Sequence, residues 1–143
     1  MKRRSFCPTN YALEHFGDKW SLLIIRDLMF KGKRHYNEFF EAEERVSTTV
    51  LRDKLRSLEQ GGIITRGDDP VKRSRIRYSL TEKGIALVPL MIEMILWSST
   101  FDADTAAPEA FVNRVKKDRE GLIAEITQNL ISEHLEINQK NGD

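Results

Sequence analysis

The chain has 143 residues, 40% of them hydrophobic and 31% charged, which is about one domain's worth of an ordinary globular composition and enough to bury a core without staples. Its single cysteine excludes an intrachain disulfide and a cysteine-rich zinc site. The formal net charge of +1 hides a split, since residues 1–100 hold 18 Lys and Arg against 13 Asp and Glu while residues 101–143 hold 5 against 9, so the placement of the basic residues says more about partners than their sum.

No basic leader followed by an apolar run opens the sequence, and a cytoplasmic protein is expected. Pro8 suits the first turn of a helix, and NYALEHFG continues one to Gly17, a good stop. Asp18 can cap the next segment, KWSLLIIRDLMF. There Trp20, Leu23, Ile24, Leu28 and Phe30 give a core stripe at helical spacing. Lys31-Gly32-Lys33 ends it, and HYNEFFEAE reads as a third short helix anchored by Tyr36, Phe39 and Phe40.

Ser47 is a good N-cap for VSTTVLRDKLRSLEQGGI, in which Val50, Leu51, Leu55 and Leu58 share a side and Gly61-Gly62 closes the helix. Ile63 to Arg66 reads as a strand, GDDPVKRS as a turn, and RIRYSL as a second strand. In the second strand Ile76, Tyr78 and Leu80 alternate with Arg75, Arg77 and Ser79. Thr81 caps a long apolar helix to about Ser98, with a kink expected at Pro89. Its most apolar run, residues 85–97, is too short to span a bilayer and carries Glu93, so no membrane partner is expected. Residues 102–108 are linker-like. Beyond them Phe111, Val115, Leu122, Ile126 and Leu130 keep helical spacing to about Ile137, with Gly121 a weak point. His15, His35 and His134 lie far apart without metal-ligand spacing, and neither a metal nor a cofactor is expected.

Four helices, two strands and two more helices make a mainly α fold with a small β-hairpin. Two helices on a tight connection followed by a hairpin match a winged helix-turn-helix, here with a C-terminal helical extension. The expected division is residues 1–100 for the winged-helix domain with its dimerisation helices and 101–143 for the extension.

On a helical wheel Leu55 and Leu58 fall within about 40° of Leu51, and Thr49, Arg52, Asp53 and Arg56 gather on the far side. A helix that reads the major groove needs this division. Small residues at its N-terminus, here Ser47, Thr48 and Thr49, let the backbone come close, while Arg52 and Arg56 reach guanine edges or phosphates. The bland alternative is a solvated face. The hairpin adds Lys72, Arg73, Arg75 and Arg77 within six residues, like charges that repel one another unless a polyanion is near, for phosphates or the minor groove. Asp68 and Asp69 are expected at the wing's base, away from phosphates.

The sequence resembles the HxlR-type family of bacterial winged-helix regulators. The likeness is carried by Cys7-Pro8 ahead of Tyr11-Ala12-Leu13 and by Gly17-Asp18-Lys19-Trp20 leading into Leu22 to Leu28. It continues in Arg34 to Phe39, Leu51 to Glu59 and Tyr78-Ser79-Leu80-Thr81-Glu82-Lys83-Gly84. It implies a homodimer on a roughly palindromic operator, with the first and last core helices forming the dimer contact; the expected role on that operator is that of a repressor. Residues 101–143 extend past the family's core, and burial of the Leu122, Ile126 and Leu130 stripe favours reinforcement of the dimer, intrachain packing being the alternative.

Some members of that family sense oxidants or electrophiles through an N-terminal cysteine, and Cys7 matches the position. The thiolate is the reactive form, favoured by a helix N-terminus or by positive charge such as Lys2, Arg3 and Arg4. Cys7 is therefore a candidate redox sensor, the alternative being an inert interface residue. Nothing stands out as an enzyme's motif. Two rivals are a winged helix that binds another protein and a regulator with a small-molecule pocket, as in MarR-type relatives, lined by Phe16, Trp20, Met91, Met94 and Trp97.

Overall fold

A computed structural model describes residues 3–136, and the chain divides into two units that meet in sequence between Gly84 and Ile85. In the first, Pro8 opens α1 (Pro8–Phe16), where its missing N–H leaves no bond unmade. Asp18 prepares α2 (Ser21–Phe30), accepting from the Trp20 and Ser21 backbone N–H groups at 2.9 Å each and from the Ser21 hydroxyl at 2.6 Å. Burial pushes the Asp18 carboxyl up, but these donors outweigh it and hold the group below its ordinary value. The stripe that α2 buries is Ile24, Ile25, Leu28 and Met29. Trp20 and Leu23 are only half-buried, because Trp20 precedes the first helical residue and the stripe starts a turn later.

The third helix is a 3₁₀ helix, Tyr36–Glu41, rather than an α-helix. His35 and Glu38 form a capping box over its short length, the regime in which the tighter helix is common. Phe39 is buried there, edge-on to Tyr78 with ring centroids 6.1 Å apart.

Helix α3 (Thr48–Gln60) starts where the Ser47 hydroxyl accepts the Val50 N–H at 3.3 Å and ends before Gly62, whose φ of +75° suits glycine. Leu51, Leu55 and Leu58 are buried and Val50 half-buried. Strands β1 (Ile64–Asp68) and β2 (Ile76–Leu80) pair antiparallel, from Ile64 opposite Leu80 to Asp68 opposite Ile76. The expected alternation along β2 is not kept: Tyr78, Ser79 and Leu80 are all buried. Arg34 is the reason. Its carbonyl accepts the Tyr78 N–H at 2.7 Å, and its guanidinium donates to the Tyr78 carbonyl at 2.7 Å and the Ser79 hydroxyl at 2.6 Å.

After β2 the Thr81 hydroxyl accepts the Gly84 N–H at 3.1 Å, opening the short α4 (Glu82–Ile85). A Cβ on Gly84 would lie 2.3 Å from the Ile63 carbonyl oxygen, so the approach of this turn to β1 requires glycine. The long helix expected from Thr81 is broken rather than kinked. It stops at Ile85 and restarts as α5 (Val88–Phe101), with Pro89 in the first turn, where a missing N–H breaks nothing. By length and apolarity the stretch Glu82–Phe101 could cross a membrane, but this interruption divides it.

The second unit packs α5 with α6 (Glu109–Lys117) and α7 (Arg119–Leu130), followed by a π-helical turn, Ile131–Glu136. The break between α6 and α7 falls at Asp118, which caps α7 by accepting the Gly121 N–H at 3.1 Å. Arg119 pairs with Glu93, and Arg114 with Glu125. Leu122 and Leu130 are buried in the single chain and Ile126 is half-buried. That stripe is therefore covered without a second copy, which removes the reason for assigning it to a dimer contact. Ile137 lies outside the described residues.

Candidate nucleic-acid interface

The polar side of α3 lies open. Ser47, Thr48, Thr49, Arg52, Asp53 and Arg56 are all exposed above the buried leucines. The Ser47 hydroxyl is engaged in its cap, which leaves the hydroxyls of Thr48 and Thr49 as the small groups the first turn presents. The Lys54 ammonium lies 3.6 Å from the Asp18 carboxylate, tying α3 to the start of α2.

The wing is built around Asp69. One carboxylate oxygen accepts the Val71 and Lys72 N–H groups at 2.8 and 3.0 Å, and the other meets His35 Nε2 at 2.6 Å. The backbone closes the turn, Asp69 N–H to the Arg75 carbonyl at 2.8 Å and Arg75 N–H to the Lys72 carbonyl at 2.9 Å. Asp69 is buried, and the hydrogen bond from His35, followed by those from Lys72 and Val71, holds its carboxyl well below the usual carboxylate range. Asp68 is exposed at the end of β1. Lys72, Arg73 and Arg75 stand exposed on the turn, and Arg77 is half-buried on β2 opposite Gly67.

Between α3 and the hairpin runs an open groove of about 580 Å³. Arg52, Arg56 and Glu59 line it from α3, Arg66 from β1 and Arg75 from the wing, with His35 and Tyr36 at its wall. Four guanidinium groups against one carboxylate from these elements make it a strongly basic channel, of the kind that attracts a phosphate backbone. It thus joins Arg52, Arg56 and Arg75, while Lys72 and Arg73 stand apart on the turn. Arg66 is the member that sequence reading missed: one arginine at a strand's end looks like any solvated charge until β1 places it beside α3.

Cys7 is exposed and occupies the N-cap position of α1. Its thiol is pulled below its ordinary value by hydrogen bonding from the Asn10 and then the Thr9 backbone of the first turn. The neighbouring arginines are otherwise engaged. Arg4 donates to the Asn10 side-chain Oδ1 at 2.7 and 3.0 Å, and the Arg3 guanidinium lies 5.5 Å from the Phe6 ring centroid. Lys2 lies outside the described residues.

The model of the HxlR-like helix-turn-helix family matches residues 15–105, more than half of the chain and all of α2, α3 and the hairpin. The chain belongs to the HxlR-like helix-turn-helix family. It is 39% identical over 88 residues to sll1512, an HTH-type transcriptional regulator of Synechocystis, a match spanning 62% of this chain and 64% of that one. With the HTH-type transcriptional regulator YodB of Bacillus subtilis it shares 34% identity over 108 residues, 73% of this chain and 96% of YodB. Two solved structures share the architecture. The redox regulator HypR in its oxidised form superposes with a TM-score of 0.58 at 32% identity, covering 66% of this chain and 96% of HypR. Reduced YodB gives 0.56 at 32%, covering 68% and 96%.

As an HxlR-like protein the chain is a transcriptional regulator with a helix-turn-helix DNA-binding fold. The 3₁₀ helix Tyr36–Glu41 and α3 are the consecutive helices that precede the hairpin, joined by residues 42–47, the order of a helix-turn-helix followed by its wing. Cys7 and the whole of α6 and α7 lie outside the segment that the family model matches.

Proposed function

We propose that this chain is a homodimeric repressor that binds a near-palindromic operator in the cytoplasm and represses by occluding the site it covers. Residues 1–100 supply the reading and dimerising elements, and 101–143 are an added helical extension. One observation carries the reading: the open hydroxyl and guanidinium face of α3 borders a basic groove whose other wall is the wing. Thr48, Thr49, Arg52 and Arg56 face base edges in the major groove, with Ser47 shaping the first turn. Lys72, Arg73, Arg75, Arg77 and Arg66 hold phosphates or enter the minor groove. Exposed apolar side chains on α1 (Leu13) and α5 (Leu90, Met94, Trp97, Phe101) support association of two copies. Half-sites read by such a dimer lie about 34–36 Å apart, one turn of duplex.

Selecting bound duplexes from a random library tests this and yields the operator, its symmetry and its spacing. On that operator Arg52→Ala should cost about 1–3 kcal/mol and relax specificity at one position. Arg73→Ala should weaken operator and random duplex alike and lower the salt slope by about one contact. Equal losses on both duplexes for Arg52→Ala would reassign it to a phosphate.

The exposed, acidified thiol of Cys7 supports a redox switch on the same molecule, as does likeness to the redox regulator HypR. With no second cysteine in the chain, the modified forms are an oxidised or alkylated sulfur, or a disulfide with a small thiol or another chain. Cys7→Ser should bind the operator normally and lose all response to diamide or quinones in a gel-shift titration. Release of DNA by the serine variant under either reagent would place the switch elsewhere.

A further inference from the structure

The tip of the wing carries the most exposed large hydrophobic side chain among the described residues, Val71 at 94%. A lone apolar residue on a surface is ordinary, but this one stands on a turn whose backbone is held in place. Its own N–H and that of Lys72 bond to Asp69 Oδ1, Asp69 N–H bonds to the Arg75 carbonyl, and Arg75 N–H bonds to the Lys72 carbonyl. Pro70 before it has a fixed φ, and a β-branched side chain has few rotamers to lose. Presenting this isopropyl group to a partner therefore costs little ordering entropy. Lys72 and Arg73 beside it are exposed, which suits a partner with anionic rims and room for an apolar group between them. Ser74 and Arg75 line the arginine groove against α3, whereas Pro70, Val71, Lys72 and Arg73 do not. With α3 in the major groove and that channel on the phosphate backbone, the next surface of the duplex is the minor groove.

We propose that Val71 is a specificity-determining residue: it enters the minor groove beside the phosphates that the arginine channel holds, and it excludes guanine from the operator's flanks. The inference rests on the DNA-reading role proposed above and deepens it. On the floor of the minor groove A·T and T·A present acceptors alone, and G·C adds the amino group of guanine, a donor. The Val71 isopropyl group has nothing to accept that hydrogen and fills the space the amino group needs. The acceptors near the tip are engaged or set back. The Lys72 carbonyl takes the Arg75 N–H, and Asp69 is buried with its carboxylate bonded to Val71, Lys72 and His35. Asp68 sits at the base of the wing, opposite Ile76. An amino group covered by the tip would lose its water and gain no partner. An A·T floor avoids this, with Lys72 donating to its acceptors and Arg73 to a phosphate at the rim. The narrow groove of A·T tracts also strengthens its attraction for both cations.

The test uses the full-length protein and the operator obtained by selection, with the base pairs flanking each half-site replaced one at a time and affinity read by anisotropy. Inosine is guanine without its amino group, and diaminopurine is adenine with one added; neither changes the hydrogen-bonding edge in the major groove. At the position under the tip, A·T and inosine·C should bind alike. G·C and diaminopurine·T should each bind about five- to tenfold more weakly, the low end of what one wrong base pair costs. Val71→Thr keeps the shape and adds an acceptor, and it should close that gap by gaining on G·C. Val71→Ala should narrow the gap by removing bulk. Both variants should unfold at the wild-type urea midpoint, because the side chain they alter faces solvent. Arg52→Ala, by contrast, should lose major-groove specificity and keep the flank preference. Equal affinity for G·C and inosine·C at every flanking position, or an unchanged gap in both Val71 variants, overturns the role of Val71 and leaves DNA reading by α3 intact. A selection that yields no bound duplex would overturn the DNA reading and the role of Val71 with it.

Discussion

Leu51→Ala is expected to lower the free energy of unfolding by about 2–5 kcal/mol, the usual range for removing a buried leucine's outer carbons and leaving a cavity. Leu51 has no measurable exposure, and Leu55 and Leu58 beside it are 3% and 1% exposed, so the site has little freedom to collapse onto water. The loss is a large fraction of a typical domain's stability. In a urea titration the midpoint should fall with the slope unchanged. Its neighbour is the control. Arg52 is exposed, and Arg52→Ala should change stability by no more than about 0.5 kcal/mol while reducing operator affinity. Two adjacent positions thereby separate folding from reading. A Leu51→Ala protein as stable as wild type would mean that the inner face of α3 is not what holds the helix in place.

That separation was legible in the sequence because it is local. The leucine spacing, the Ser47 cap and the Gly62 stop all lie within sixteen residues, and each recurs in the structure. The hairpin was legible for the same reason: turn residues flanked by apolar strands need no knowledge of the rest of the chain. What escaped was non-local or depended on competition between similar helices. Ser79 reads as solvent-facing, and only Arg34, 45 residues earlier, explains its burial. His35 reads as a stray imidazole until Asp69, 34 residues later, is placed against it. Periodicity alone does not distinguish a 3₁₀ turn from an α-helix over Tyr36–Glu41, because both put Phe39 inward. Pro89 was a matter of degree. A proline in a helical run kinks it or starts a new helix, and here the break at residues 86–87 makes it a beginning. Cys7's environment is legible for one right reason and one wrong one, since the first-turn N–H groups act on it while its arginine neighbours are committed to other partners.

A double substitution on α5, Met94→Glu with Trp97→Glu, is expected to convert a dimer into a monomer and reduce operator affinity by about 10²–10⁴-fold, the avidity lost when two linked half-site contacts become independent. Leu90, Met94, Trp97 and Phe101 are 38%, 43%, 64% and 74% exposed and recur at four-, three- and four-residue steps, the spacing of a helical seam. The Trp97 and Phe101 rings lie side by side with centroids 5.5 Å apart and planes tilted by 50°, offering aromatic surface of the kind that dominates interfaces. The opposite side of the same helix buries Val88 and Ile92, so α5 is apolar on both sides and only one is covered within the chain. A two-fold contact brings each residue near its own copy's patch, so a carboxylate placed there is both desolvated and set against a like charge. Sedimentation should show the change in mass. Binding of the monomer to random duplex at low salt should persist, because α3 and the wing belong to each chain by itself. A double variant that still sediments as a dimer would move the contact off this seam. One that sediments as a monomer yet keeps full operator affinity would show that a single protomer suffices, and the palindrome would lose its physical basis.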